Sequence, residues 1–138
     1  MSKPDYEVIV RGRTSKGLTP EGKEESPDVA AVGHMMPDAD VIEREGAYQI
    51  SVELPGLAAA DVDVALVDDE VTISAVKPDP AAVDCTVVAR HLAERRYGIV
   101  RRSFRLPEGA DRGDVRAHIE NGLLTVVLAK AAGGSGVP

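Results

Sequence analysis

A thiol and an imidazole lie close together in the sequence and could in principle form a nucleophilic pair. Cys85 stands six residues before His91, and a neighbouring base is what activates a cysteine for acyl transfer. Six residues of extended chain, however, span about 20 Å, which is beyond hydrogen-bond reach unless the chain folds back. His118 falls on the polar phase of a strand pattern, and His34 lies in a turn-rich segment. We therefore predict no catalytic residues and no enzymatic activity.

Four carboxylates could suggest a calcium site, since calcium prefers oxygen ligands. They are Asp61, Asp63, Asp68 and Asp69. Their spacing does not match the twelve-residue loop of an EF-hand, and the bidentate glutamate that closes such a loop is absent. Solvated strand faces and a turn explain them better, so we expect neither a metal nor a cofactor.

Six arginines between Arg90 and Arg105 could suggest binding to nucleic acid. The chain carries a net charge of −7, which disfavours contact with a phosphate backbone. Only Tyr97 and Phe104 interleave these arginines, too few for a platform on which bases stack. Solvated faces and interface ion pairs are the preferred interpretation, and no nucleic-acid partner is expected.

The composition indicates one domain with an aliphatic core. Of 138 residues, 43% are hydrophobic and only 3% aromatic, and a chain of this size can bury a real core. The single cysteine forbids an intrachain disulfide and favours a reducing, cytoplasmic location. We see neither a signal peptide nor a run of about 18 apolar residues, so secretion and membrane insertion are not expected.

The chain divides into three parts. Residues 1–36 are polar and turn-rich and are predicted to form a mobile arm, in which Tyr6–Val10 could be one short strand. Residues 37–130 are predicted to form the folded domain. Residues 131–138 contain Gly133-Gly134-Ser135-Gly136 and are predicted to be a flexible tail.

The middle part shows period-two alternation, which is typical of strands with one buried face. The alternating segments are 48–54, 62–66, 71–75, 100–106, 115–119 and 124–128. Pro55-Gly56 and Asp68-Asp69 mark turns, and Asn121-Gly122 is a strong signal for a type I′ hairpin. Short strands at this spacing predict an all-β sandwich.

Four motifs, in this order, resemble the landmarks of the α-crystallin domain of small heat-shock proteins. They are Asp40-Val41-Ile42-Glu43, then Val52-Glu53-Leu54-Pro55-Gly56, then Ser103-Phe104-Arg105-Leu106-Pro107, and finally Ala117-His118-Ile119-Glu120-Asn121-Gly122-Leu123-Leu124. Each motif is weak alone. The most distinctive positions are Leu54, Pro55, Gly56, Ala117, Asn121, Gly122 and Leu124.

The resemblance implies an immunoglobulin-like sandwich and a chaperone of the stress response. Family members of this kind hold unfolding client proteins without ATP, and so keep them from aggregating. A co-chaperone of the p23 type, or another specific interaction module on a similar sandwich, is the alternative.

The resemblance to bacterial members also implies a homodimer in which subunits exchange a strand. The exchanged strand would come from the loop between Lys77 and Tyr97 and pair with an edge of the partner. The implied interface residues are Val88, Ala89, Arg90, His91, Leu92 and Glu94 on the loop, Asp40, Val41, Ile42 and Glu43 on the edge, and Arg102. A surface loop without such a role is the alternative.

Arg102 shares the phase of Val100 and Phe104, so alternation directs it inward or into an interface. A buried charge needs compensation, and Glu94 or an acidic residue of the partner could provide it. A bulge near Arg101 that turns Arg102 to solvent is the alternative.

The resemblance further implies an apolar groove that takes another subunit's tail or a client segment. It would be lined by Val62, Val64, Leu66, Val115 and Ala117. Ordinary sandwich core explains any one of these residues equally well.

The chain departs from the family pattern at its ends. The tail has no Ile-x-Ile motif and ends Gly136-Val137-Pro138, Ala129 replaces the usual proline, and the N-terminal arm has neither Phe nor Trp. We therefore expect a dimer or a small oligomer.

Overall fold

The computed structural model describes residues 7–13 and 35–131, and these form nine β-strands in two sheets. The strands are β1 (Glu7–Val8), β2 (Val10–Arg13), β3 (Ala39–Arg44), β4 (Ala47–Glu53), β5 (Val62–Val67), β6 (Glu70–Lys77), β7 (Gly98–Arg105), β8 (Ala110–Glu120) and β9 (Leu123–Lys130). A 3₁₀ turn at Ala59–Asp61 precedes β5, and a short helix, α1 (Pro80–Val83), follows β6. Within the described ranges, no helix is long and apolar enough to cross a bilayer.

The two sheets have simple strand orders. The first, sheet A, has five strands in the order β1-β8-β9-β4-β3, and the second, sheet B, has four in the order β2-β5-β6-β7. Neighbouring strands run antiparallel except β2 and β5, which run parallel. The short strands β1 and β2 follow each other directly in sequence yet belong to different sheets.

The core lies between the sheets and is aliphatic, as the composition predicts. Sheet A contributes alternate residues such as Ile50, Val52 and Leu54, and sheet B contributes Val64 and Ile73, all of them buried. Alternate side chains leave the opposite face of each strand to water, which is the pattern expected of a sandwich. The all-β sandwich predicted from the sequence is confirmed.

Two turns bring separate sequence motifs into contact. Asn121 and Gly122 join β8 to β9, and both have positive φ angles, of 55° and 79°, as a type I′ turn requires. The amide of Leu54 donates a hydrogen bond to the carbonyl oxygen of Gly122 at 2.7 Å. A Cβ atom at Gly122 would lie 3.1 Å from the Cα atom of Pro55. The Leu-Pro-Gly and Asn-Gly motifs thus form one packed corner.

The predicted ends of the chain are only partly described. The strand expected within Tyr6–Val10 corresponds to β1, and β2 begins at Val10. Residues 1–6, 14–34 and 132–138 lie outside the described residues, and with them most of the arm and tail predicted to be mobile, including His34.

Candidate functional site

Strand β3 forms one end of sheet A and is largely exposed. It pairs with β4 on one side, from Ala39 with Val52 to Arg44 with Ala47. An end strand presents backbone N–H and C=O groups that can pair with another chain. All four predicted edge residues are exposed, and two of them are apolar: Asp40, Val41, Ile42 and Glu43. Glu43 also accepts a hydrogen bond from Lys130 at 2.7 Å.

The long loop, residues 78–97, connects β6 to β7 and contains α1. From residue 84 onward the loop includes no strand within this single chain. All six loop residues predicted for the interface are exposed: Val88, Ala89, Arg90, His91, Leu92 and Glu94. Val88 is 97% exposed, which is unfavourable for an apolar side chain in water. Pairing of this loop with a second chain stays a prediction.

A small polar cluster ties the two ends of the long loop together. Arg90 donates a hydrogen bond to Asp79 at 2.6 Å, and the amide of Ala81 donates to the same carboxylate at 3.1 Å. The guanidinium groups of Arg90 and Arg95 lie 5.7 and 5.2 Å from the ring centre of Tyr97, within the range of cation–π attraction. The hydrogen bond from Arg90 lowers the pKa of Asp79, and the same bond raises the pKa of Arg90. The cluster holds the loop in a defined path and leaves Val88 at its outer side.

Arg102 lies half-buried in β7, in the inward phase that the alternation predicts. It donates a hydrogen bond to the carbonyl oxygen of Pro37 at 2.7 Å, and its guanidinium lies 5.2 Å from the ring centre of Phe104. Among the described residues, Arg102 is bonded to Pro37 and not to Glu94, which lies exposed in the long loop. The charge of Arg102 is instead compensated by partial exposure to water and by the carbonyl oxygen that accepts its hydrogen bond. Strand β7 pairs with β6 in unbroken register, so the alternative of a bulge near Arg101 is wrong for this chain.

The predicted groove lies between the edges of β5 and β8. Four of its residues are buried in the core and Val115 is partly buried: Val62, Val64, Leu66, Val115 and Ala117. The short strand expected within Tyr6–Val10 covers this opening together with β2, and this placement was not predicted from the sequence. Strand β1 pairs with β8, and β2 pairs with β5, so that Glu7–Arg13 closes the side of the sandwich. We call this segment the strap.

The residues considered for a nucleophilic pair or a metal site are exposed or engaged in other contacts in the described part of the chain. Cys85 and His91 are both exposed in the long loop. Asp61 accepts a hydrogen bond from the amide of Ala58 at 2.9 Å, Asp63 pairs with Arg11, and no group of three metal ligands occurs among the described residues. Asp61 is thus engaged in capping and Asp63 in ion pairing, and Asp69 pairs with Arg112 at 3.2 Å.

A profile of the Hsp20/alpha crystallin family matches residues 40–135. The chain belongs to this family. The match contains β3 from its second residue onward, the long loop and both turn motifs, and it confirms the resemblance seen in the sequence. Members of the family are small heat-shock chaperones and are generally not enzymes.

The matched region covers different shares of the two relatives' lengths. "Spore protein SP21" of Stigmatella aurantiaca is 35% identical over 95 residues, which are 69% of this chain but 55% of that protein. "Heat shock protein 16" of Schizosaccharomyces pombe is 34% identical over 98 residues, which are 71% of this chain and 68% of that protein. The chain therefore matches little more than half of the first relative.

Solved structures show the same fold. Heat shock protein 16.0 from Schizosaccharomyces pombe superimposes with a TM-score of 0.67 at 31% identity, covering 77% of this chain and 82% of the other. A small heat-shock protein from Xylella fastidiosa gives a TM-score of 0.63 at 27% identity, covering 74% and 90%. This chain therefore has the α-crystallin sandwich fold of the family.

Proposed function

We propose that this protein is an ATP-independent holdase, which binds partly unfolded client proteins in the cytoplasm and prevents their aggregation. Its active unit is a homodimer or a small oligomer, formed by exchange of a strand between subunits. Membership in a family of small heat-shock chaperones supports the chaperone role. The free, exposed cysteine Cys85 supports a reducing compartment.

The observation that carries the proposal is a match between two exposed surfaces. Strand β3 is an end strand with exposed Val41 and Ile42, and the long loop presents exposed Val88 and Leu92 without a strand of its own. Residues 86–92 of one subunit, added to β3 of another, would bury apolar side chains from both and pair the backbone groups of each.

Charge also favours this pairing. Strand β3 carries Asp40 and Glu43, whereas residues 86–92 of the loop carry Arg90. Opposite charges on facing strands stabilise the correct pair and disfavour pairing of two β3 strands with each other. The proposed assembly is small because the strap already covers the opening between β5 and β8, where other subunits would otherwise attach.

Replacement of Val88 by Asp tests the assembly. Because Val88 is 97% exposed in the single chain, V88D should leave the folded subunit intact and act only through contact with a second molecule. V83D is the matched control, since Val83 is 85% exposed and lies in α1, outside the proposed exchanged strand. Light scattering at micromolar concentration should give the wild type and V83D a mass of at least twice 14.6 kDa, and V88D the mass of one subunit.

Two results would contradict the assembly: a monomeric wild type, or a V88D variant with the wild-type mass. The holdase activity is tested separately, by heating a labile client with the protein and following turbidity. Near-stoichiometric wild-type protein should suppress the turbidity. No effect at large excess would refute the holdase and favour a specific interaction module of the p23 type.

A further inference from the structure

One carboxylate connects the start of the long loop to its middle. Asp79 lies two residues after β6, and its Oδ1 atom accepts a hydrogen bond from Arg90 at 2.6 Å and another from the amide of Ala81 at 3.1 Å. The second bond caps α1, because Asp79 is the N-cap residue of that helix. A single oxygen atom thus ties the middle of the loop to the helix that follows β6.

The ring of Tyr97 holds the same arginine from the other end of the loop. The guanidinium of Arg90 lies 5.7 Å from the centre of this ring, within the range of cation–π attraction. Tyr97 directly precedes β7. We call Asp79, Arg90 and Tyr97 the clasp, because their contacts close the loop between β6 and β7.

The ion pair of the clasp is more shielded from water than another ion pair of the sandwich. The side chains of Asp79 and Arg90 are 26% and 33% exposed, whereas those of Asp69 and Arg112 are 79% and 44% exposed. Pairs in full contact with water contribute little to stability, and shielding reduces the screening by salt. The contact between Asp79 and Arg90 is therefore able to restrain the loop.

The clasp fixes the middle of the segment proposed to be exchanged and leaves its apolar side chains uncovered. Val88 and Leu92, two residues on either side of Arg90, are 97% and 73% exposed. A guanidinium group has five N–H donors, so Arg90 can keep its bond to Asp79 while it faces the carboxylates of a partner's β3. The loop is thus held by its own subunit at the residue around which exchange would occur.

A loop that is already ordered loses less conformational entropy when it binds. The ordering of flexible segments and side chains is a main cost of association, and in a dimer with two exchanged loops this cost arises twice. The dissociation constant therefore rises as the inverse square of the fraction of loops that have the correct shape. A contact that keeps this fraction high strengthens the dimer without touching the partner.

We propose that Asp79 is a positioning residue for strand exchange: through its bond to Arg90 it holds the long loop in the shape that a partner's β3 accepts, and so sets the strength of the dimer. The partner is a second copy of this chain. Asp79 acts from outside residues 86–92, the segment that enters the interface. This inference rests on the proposed exchange of strands and adds the residue that prepares the loop for it.

Replacement of Asp79 by Ser provides the test. Serine is also a favourable N-cap residue, so D79S keeps the cap of α1, whereas its shorter, uncharged side chain gives up the ion pair with Arg90. If a loop without the clasp has the correct shape about one-third of the time, the dissociation constant of the dimer rises about tenfold. Analytical ultracentrifugation measures this constant. D79N keeps an uncharged acceptor for Arg90 and should give an intermediate value.

D84S is the matched control, because it removes the same charge from the same loop. Asp84 accepts hydrogen bonds from the amide and the hydroxyl of Thr86, at 2.9 and 2.6 Å, and serine supports the same kind of turn. The fraction of correctly shaped loops should not change, so the dissociation constant should stay within about twofold of the wild type.

Trypsin tests the clasp without the need for a dimer. V88D is expected to be monomeric, and cleavage after Arg90 follows the population of loops in which this arginine is released. In the V88D background, D79S should be cleaved after Arg90 at least about threefold faster, whereas D84S should be cleaved at an unchanged rate. Mass spectrometry of the fragments identifies the cleaved bond.

The outcomes separate this inference from the proposed assembly. An unchanged dissociation constant for D79S would overturn the inference and leave the exchange of strands standing, and so would a larger change for D84S than for D79S. A monomeric wild type would refute the inference together with the assembly. Equal cleavage of the two variants after Arg90 would show that the clasp does not restrain the loop. Circular dichroism checks that each variant keeps its strands.

Discussion

Replacement of Gly122 by Ala tests the packed corner between the two turn motifs. Gly122 has a φ of 79°, and the left-handed region costs a residue with a side chain about 1–2 kcal/mol. Its new Cβ would also lie 3.1 Å from the Cα atom of Pro55, closer than an ordinary contact, so one turn must move away from the other. Such overpacking adds about 1–2 kcal/mol. The free energy of unfolding should therefore fall by about 2–4 kcal/mol in total.

Gly46 offers a control that separates these two contributions. It also has a positive φ, of 95°, but a Cβ atom added there would have no neighbouring atom within 4 Å. G46A should thus lose only the conformational part, about 1–2 kcal/mol. Both variants are unfolded in urea at one fixed protein concentration, because association contributes to apparent stability. A G122A variant no less stable than G46A would refute the reasoning about the corner.

Three further predictions concern the core, the long loop and β7. L124A should lose about 2–5 kcal/mol of unfolding free energy in urea, because the side chain of Leu124 is fully buried. L123A is the control: Leu123 is 40% exposed, so this variant should lose less than about 1 kcal/mol. Equal losses would contradict the assignment of these two side chains to opposite faces of β9. Because Arg90 lowers the pKa of Asp79, the ion pair between them is fully formed at pH values above the ordinary carboxyl pKa and is lost as pH falls through the lowered pKa. R90A should therefore move the NMR titration midpoint of Asp79 upward. An unchanged midpoint would exclude Arg90 as the cause of the lowered pKa. R102A should lose about 1–2 kcal/mol of unfolding free energy, because it removes the hydrogen bond to Pro37 and the contact with the ring of Phe104. R102K should lose less. Identical urea midpoints for the wild type and both variants would show that neither contact stabilises the fold.

Much of the sandwich follows from local pattern alone. Ile50 and Val52 alternate with polar residues, so their burial is set by the pleat of a single strand. Asn121-Gly122 specifies its turn by the φ angles that those residues tolerate. The same alternation predicts the inward phase of Arg102, although its acceptor, the carbonyl oxygen of Pro37, carries no signal in the sequence.

The strap shows what local pattern leaves open. Val8 and Val10 have the spacing of two inward side chains, and that signal is present in the sequence. Their partners are not signalled there, because parallel pairing with Val64 joins residues far apart in the chain and no turn links them. Helix α1, by contrast, does carry a local signal in the sequence. Asp79 is a favourable N-cap residue, and Pro80 after it is favourable at the first helical position.

The strap has a consequence for the order in which the protein is made. Glu7 leaves the ribosome early, but its pairing partner His118 follows only after more than a hundred further residues have been synthesised. Of the described strands, β1 is translated first but is among the last to dock, because the edges of β5 and β8 that receive the strap must already exist. A nascent chain therefore exposes Val8 and Val10 to solvent through most of its translation. The strap closes the sandwich only late in synthesis.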